Sequence, residues 1–366
     1  MTEVLGGVGD APALRWAGRT VTYAEFDAAI DAWPDEPVCD ASELDVPTAL
    51  VAVFAAARRG RAVRVENPDA RPESREIPVG AWLLVATSGS TGRPRPLART
   101  VASWADSFDA FTAVTGLKPE DTVLITGPLH ATMHLFAAVH ALHIGACVTD
   151  DEQIATAAHA VPAVLRRLVH NAPQLRTVVV AGTALDAGAQ ERAAGLDLIE
   201  YYGAAELSLV AARRVPEPLR LLDGVEARVD DGLLVVRSPY AALGTPEWVG
   251  VGDLAELSDD GTLAVFGRGD AVIDVGGTTV VAEDVERILD AIDGVRAAAA
   301  IGTPHDVLGA TVTAVVELDG DLDTVKQHAR RRLQKEAVPR RWVVVDELPR
   351  TGSGKIARGR VKDSLS

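Results

Sequence analysis

Three things are scarce in this chain. Cysteine is the first: Cys39 and Cys147 are the only two in 366 residues, with no CxxC pair and no His/Cys ligand spacing. That excludes a disulfide framework and a zinc site, and it fits a reducing compartment. Positive charge is the second. Thirty-six Lys and Arg stand against 52 Asp and Glu, a formal net charge of −16, which is not a surface that nucleic acid selects. The third is a long apolar run. None approaches the roughly eighteen residues that a membrane span needs, and the opening Met1-Thr-Glu-Val4 has neither the basic nor the apolar part of an export signal. The expectations are therefore no nucleic acid, no membrane and a cytoplasmic location.

A 48% hydrophobic content spread over 366 residues suffices for one large domain and a small second one. Leu14–Tyr23 reads as a β-hairpin followed by a helix over Tyr23–Ala32, Leu50–Arg59 as a buried helix, and Arg61–Val65 as a strand. Helix and strand continue to alternate through Ala102–Val114, Thr122–Ile125, His134–His143 and Thr177–Val180, the pattern of a parallel, doubly wound α/β sheet. After Gly224, short strands at 226–229, 233–236, 253–256 and 263–266 predict a β-rich subdomain. From about Asp270 the order strand, helix, strand, strand, helix predicts a small α+β lid. The expected division is 1–268 for the large domain and 269–366 for the lid.

The apolar run Ala81-Trp-Leu-Leu-Val-Ala86 reads as a buried strand, and it leads into Thr87-Ser-Gly-Ser-Thr-Gly-Arg-Pro-Arg-Pro96. Gly89 and Gly92 let the backbone bend so that successive N–H groups point inward. The hydroxyls of Thr87, Ser88, Ser90 and Thr91 add donors, and Arg95 adds a cation, which together make a cradle for a polyanion such as a phosphate chain. It is not a P-loop, which closes on Gly-Lys-Ser/Thr at a helix N-terminus; here Gly92 runs into Arg-Pro-Arg-Pro, which keeps the chain extended.

Three later segments follow in a fixed order: Tyr201-Tyr-Gly-Ala-Ala-Glu206, Val251-Gly-Asp-Leu254 with Phe266-Gly-Arg-Gly-Asp270, and Pro349-Arg-Thr-Gly-Ser-Gly-Lys-Ile356. With the cradle, and over about Thr20 to Lys362, they resemble the acyl-adenylate-forming superfamily of acyl- and aryl-CoA ligases, peptide-synthetase adenylation domains and luciferase. The resemblance implies ATP, Mg²⁺ and coenzyme A as cofactors and a small carboxylic acid as substrate. It implies that Glu206 holds Mg²⁺, that Asp253 takes the ribose hydroxyls and that Arg268 contacts the nucleotide; the Tyr202 ring suits stacking on the adenine, with Gly203 a further nucleotide-site residue. Asp270 is then the hinge, Gly276 and Gly277 border a thiol tunnel, and Lys355 is the adenylation lysine. His130, His134, Ala181 and Gly182 would line the acyl pocket, with His140 and His143 structural. The chemistry agrees, because acid activation needs an anion cradle, a divalent metal, a sugar anchor and a cation at the reacting centre.

Against the family pattern, Arg95 replaces a customary Lys, Pro96 a Gly, Ala205 a Thr, and Asp274 a Lys. The stretch before the phosphate loop is short, under ninety residues, as in o-succinylbenzoate–CoA ligase. The acyl acceptor is open between CoA and the phosphopantetheine of a carrier protein, and a third reading is a nucleotide-binding relative that has lost adenylation. Arg330-Arg-Arg332, Lys335 and Arg340-Arg341 form a basic cluster in this acidic chain, where a phosphorylated CoA tail or an acidic carrier would dock.

Overall fold

The computed structural model describes residues 5–365 apart from 73–75, 87–94, 182–184, 186–189, 192, 251, 269–271, 276–277, 306–307 and 351–355. A nine-stranded sheet forms its centre. Asp197–Ala204, Thr177–Val180, Ala157–Ala160, Thr122–Ile125, Cys147–Thr149 and Pro12–Trp16 lie side by side and parallel. Antiparallel strands close both edges: Arg19–Thr22 on one side, Ser208–Arg214 and Arg220–Leu221 on the other. Period-two alternation sends Val179 and Ile199 into one apolar cluster with Phe108, Phe111, Leu135 and Phe136, while Val178, Val180 and Leu198 join Leu165 and Leu168 in a second. Parallel strands covered on both faces read as unbroken apolar runs, which is why Thr177–Val180 and Ala157–Ala160 are buried throughout. The sheet is doubly wound, as expected.

The strand leading into the phosphate loop belongs elsewhere. Leu83–Ala86 sits in a separate four-stranded sheet in the order Val38–Asp40, Ala62–Arg64, Leu83–Ala86, Pro96–Arg99. The first three strands are parallel and the last is antiparallel. Leu83 and Val85 face the main cluster and Leu84 faces Ala62, Ala81 and Ala98. The covering helix is longer than the sequence reading, running Val46–Arg59. Asp45 Oδ1 accepts the Thr48 N–H at 2.9 Å and Pro47 occupies the first turn, so the start lies before the apolar run.

Glu226–Asp230, Leu233–Arg237, Asp253–Leu257 and Leu263–Arg268 make an antiparallel meander in sequence order, the β-rich subdomain expected. The C-terminal part holds more elements than the sequence reading gave it. A hairpin, Val272–Val275 with Thr278–Val281, precedes the helix Ala282–Asp290; Val295–His305 and Gly309–Leu318 pair antiparallel, the helix Leu322–Arg332 follows, and Arg341–Val345 adds in parallel to Gly309–Leu318. A last helix spans Arg358–Asp363. One face of this sheet packs Val285, Leu289 and Val325; the other packs Leu348 and Val361.

Candidate functional site

Ala86 and Pro96 are paired across the hairpin, so the loop between them starts and ends at one point. Residues 87–94, including Thr87, Ser88, Gly89, Ser90, Thr91 and Gly92, lie outside the described residues; Arg95 does not. Its Nη2 meets Glu206 Oε1 at 2.5 Å across 111 residues of sequence. One contact thus joins the mouth of the Gly-rich loop to the turn after Tyr201-Tyr-Gly-Ala-Ala.

Beneath that contact lies a residue that sequence reasoning passed over. Arg99 is 1% exposed; its Nη1 donates to Tyr240 O at 2.8 Å and its Nη2 donates to Ala205 O. Its guanidinium lies 5.9 Å from the centre of the Trp104 ring. Burial pushes its pKa down to about 10, with Glu206 pulling the other way. Arg99 fastens the hairpin to the 204–207 turn, aided by Ala242 N–H to Glu206 O at 2.8 Å and Leu243 N–H to Ala98 O at 2.7 Å. The available signal was an arginine on an otherwise apolar strand register, Leu97-Ala-Arg99.

The strand Asp197–Ala204 carries Tyr201, Tyr202 and Gly203, and Glu206 sits in the turn before Ser208–Arg214. A register shift falls between Tyr202 and Gly203. A Cβ at position 203 would stand 2.2 Å from Ser208 O, so only glycine allows the two strands to approach there. Tyr202 Oη donates to Asp253 Oδ2 at 2.5 Å, tying this strand to the meander. Asp253 opens its own strand directly opposite Arg268 in register. The Arg268 side chain lies outside the described set. Tyr202, Glu206, Arg95 and Asp253 are therefore brought together by two contacts on a single strand and its turn.

The histidines gather one layer deeper. His134, in the first turn of the helix Thr132–His143, is 8% exposed, and its ring lies against Gly127, where a Cβ would meet Nε2 at 2.3 Å. His140 is fully buried; its Nε2 hydrogen-bonds Thr112 Oγ1 at 2.8 Å and its ring stacks 6.2 Å from Phe136. His159, central in Ala157–Ala160 and absent from the sequence reading, is also fully buried. Neither of its ring nitrogens has a hydrogen-bond partner among the described residues. Burial holds all three neutral: His134 is pushed down to about 4, with His130 adding, His140 to about 3, with His143 adding, and His159 well below the ordinary value. His130 is half-buried at the helix entrance, and Ala181 ends the strand Thr177–Val180 with its N–H on Ala160 O at 3.3 Å.

Gly182, Asp270, Gly276, Gly277 and Lys355 lie outside the described residues, as does the Asp274 side chain. The flanks of 351–355 are described and closely tied. Glu317, 5% exposed, accepts the Leu348 N–H at 2.8 Å and Arg350 Nη2 at 3.3 Å. Ala357 N–H reaches Pro349 O at 2.8 Å, and Arg358 meets Glu286 at 2.7 Å. Among the described residues no three His, Cys, Asp or Glu side chains form a metal cage, and no helix is long and apolar enough to cross a membrane.

Comparison with known proteins matches residues 58–232 to the AMP-binding enzyme family and residues 284–355 to the AMP-binding enzyme C-terminal domain. An uncharacterised acyl–CoA ligase of Bacillus subtilis is 29% identical over 323 residues, 76% of this chain and 67% of that protein. A 2-succinylbenzoate–CoA ligase of Listeria monocytogenes is 24% identical over 326 residues, 77% of this chain and 70% of that one. Among solved structures, o-succinylbenzoate CoA synthetase from Bacillus subtilis in complex with its acyl-adenylate intermediate superposes with a TM-score of 0.84 at 20% identity, covering 97% of this chain and 96% of that one.

Proposed function

Because the chain belongs to the AMP-binding enzyme family, we propose that it activates a carboxylic acid with ATP as an acyl-adenylate and passes the acyl group to the thiol of coenzyme A. The observation that carries this is the single strand and turn, 202–206, contacting both Asp253 and Arg95. A nucleotide laid across that turn has a carboxylate for its ribose hydroxyls at one end and a cation for its phosphates at the other.

In the first step a carboxylate oxygen of the acid attacks the α-phosphorus and pyrophosphate leaves. The Thr87–Gly92 amides and hydroxyls together with Arg95 bind the departing phosphates, and Lys355 offsets the charge accumulating between carboxylate and α-phosphate. Glu206 is the candidate ligand for Mg²⁺. Arg95 Nη2 donates to its Oε1 at 2.5 Å, which sets the carboxylate at the mouth of the phosphate loop, and Mg²⁺ takes one or two carboxylates with phosphate oxygens and water rather than a protein cage. A bound Mg²⁺ supplies charge neutralisation on the phosphates. In the second step the thiolate attacks the acyl carbon and AMP departs with the bonding electrons. Residues 269–366 act as a lid that turns about Asp270, exchanging Lys355 for the Gly276-Gly277 loop. The separation of apolar clusters up to Leu263 from those starting at Ile273 supports that division.

His130, His134, Ala181 and Gly182 border the acyl pocket in this reading. An aromatic or keto acid of the o-succinylbenzoate type is the substrate class that similarity to a 2-succinylbenzoate–CoA ligase supports. Acid-dependent exchange of labelled pyrophosphate into ATP, run over aromatic and aliphatic acids, tests activation. Exchange with at least one acid, followed by thioester on adding CoA, is expected. AMP binding with no exchange for any acid would instead identify a non-adenylating relative.

A further inference from the structure

One layer of the large domain combines deep burial with unmet hydrogen bonds. Four ring nitrogens of His134, His140 and His159 are buried and lack a partner among the described residues. His140 keeps one bond, to Thr112 Oγ1. His159 has none for either nitrogen, although it is fully buried. Its position is nevertheless fixed. Thr126 Oγ1 donates to His159 O at 2.7 Å, and Ile125 and Val179 flank it in register. An unmet buried donor and acceptor cost stability that an apolar side chain of the same size would not, so the imidazole calls for a reason other than packing.

The ring occupies a definite place on the sheet. Val179 and Ile199 share its rung, on the face that carries Phe111. The Phe111 ring centre lies 5.8 Å from that of His159 and 6.0 Å from that of Tyr201, so both project to this face. Tyr201 and Ala181 stand two residues further toward the carboxyl ends of the strands, about 7 Å at the usual rise. Beside them is Gly127, two residues beyond Ile125, with the His134 ring against it. Small residues therefore stand above His159, at the strand ends where open α/β sheets bind their ligands.

The electrostatics of the layer restrict what can meet the ring. Burial keeps His159 neutral, and His134 and His140 are near enough to depress its pKa further. No carboxylate or cation among the described residues contributes to that shift. A neutral imidazole offers one N–H donor and one lone-pair acceptor. In an apolar layer without a cation it matches a neutral oxygen and cannot compensate an ionised carboxylate.

We propose that His159 forms the floor of the acyl pocket and selects a carboxylic acid whose far end carries a neutral hydroxyl or carbonyl oxygen, an inference that rests on the acid-activation reading above. The carboxylate to be activated stays at the mouth, beside the phosphate loop, while the tail passes Ala181 to reach the ring. Phe111 and Phe136, with ring centres 5.2 Å apart, close the space behind it, which keeps the tail compact.

Acid-dependent pyrophosphate exchange over matched acids tests the selection: benzoate, para-hydroxybenzoate and terephthalate as an aromatic set, hexanoate, 5-oxohexanoate and adipate as an aliphatic one. In the set that exchanges, the acid with the neutral oxygen should exceed both its apolar parent and its dicarboxylate by about tenfold or more in kcat/KM, because a site built to hydrogen-bond a group rejects the analogue without it. His159→Leu should turn the preference toward the parent acid while leaving the KM for ATP close to wild type. His159→Gln, which keeps a donor and an acceptor, should restore part of it. Calorimetric titration of the intact chain with the same acids in the presence of AMP is a readout independent of turnover. Absence of exchange with every acid sinks the ligase reading, whereas the ranking by binding still reports on His159. Equal handling of parent and oxygenated acids by the wild-type chain, failure to bind any of them included, overturns the proposal. So does a ranking that His159→Leu leaves unchanged, which would assign the unmet bonds of the ring to a resident water.

Discussion

At the scale of single residues, the buried ionisable groups set opposing pH dependences. The neutral histidines have folded pKa values near 4 for His134 and near 3 for His140, with His159 also displaced downward. Unfolding restores an ordinary value of about 6.5, so below that pH the unfolded chain binds protons that the folded chain refuses. Their contribution is complete above about pH 6.5 and declines as pH falls, by about 1.4 kcal/mol per pH unit for each histidine. His159→Leu keeps a similar volume and removes two nitrogens that lack partners among the described residues. It should raise the thermal midpoint relative to wild type at pH 5, with a smaller gain at pH 8; a lower midpoint at pH 5 contradicts the burial cost assigned here. Asp290 has the reverse sign. Burial, with Glu286 adding, lifts its carboxyl to about 7, and its Oδ1 has no partner among the described residues. The folded chain holds a proton that the unfolded chain releases between about pH 4 and 7, so this group erodes stability as pH rises through that window. Asp290→Asn should therefore stabilise at pH 8 and change little at pH 4, as scanning calorimetry at the two pH values will read.

At the scale of elements, Gly203 marks where backbone geometry and the site coincide. A methyl group there meets Ser208 O at 2.2 Å, and overpacking of this kind costs about 1–3 kcal/mol. Gly203→Ala should lower the denaturation midpoint and pyrophosphate exchange together, since relief of the clash moves Tyr202 and Glu206. Arg99→Met should likewise detach the hairpin from the 204–207 turn, and loss of hydrogen bonds from a buried guanidinium costs about 1.5–3 kcal/mol each. If urea titration finds either variant as stable as wild type, the close packing of strand and turn has been overstated. Elements were legible where period and punctuation agreed: Tyr23–Ala32, Thr122–Ile125, Thr177–Val180 and the meander stand within a residue or two of their expected positions. Val38–Asp40 and Cys147–Thr149 were missed because three residues are too few to display a period, and Ala157–Ala160 because alanine carries little strand preference; the strand Ser208–Arg214 and the helix Pro162–Asn171 were missed as well. The separate sheet holding Leu83–Ala86 was hidden because an apolar strand gives no sign of which neighbours it pairs with.

For the whole molecule, the site is an assembly of distant segments. The motifs themselves could be read, as residue types with a chemistry, but their convergence could not. Arg95 and Glu206 are 111 positions apart, Tyr202 and Asp253 are 51 apart, and only the folded chain brings them into contact. Arg99 stood out as an arginine on an apolar strand, but its partners could not be read, since Ala205 and Tyr240 offer backbone carbonyls that carry no residue signature. The two-lobed scheme makes a separable prediction: Lys355→Ala should abolish acid-dependent pyrophosphate exchange while leaving thioester formation from a supplied acyl-adenylate largely intact. Survival of both half-reactions would remove Lys355 from the chemistry. The facing of Ala86 and Pro96 across their hairpin has a consequence for evolution and engineering. A segment whose two ends meet at one fixed rung can be rewritten without disturbing the scaffold beneath it, so a departure such as Arg95, just inside the rung, is variation that this architecture tolerates. A library randomised only between those two rungs would explore new donor specificities on an unchanged frame.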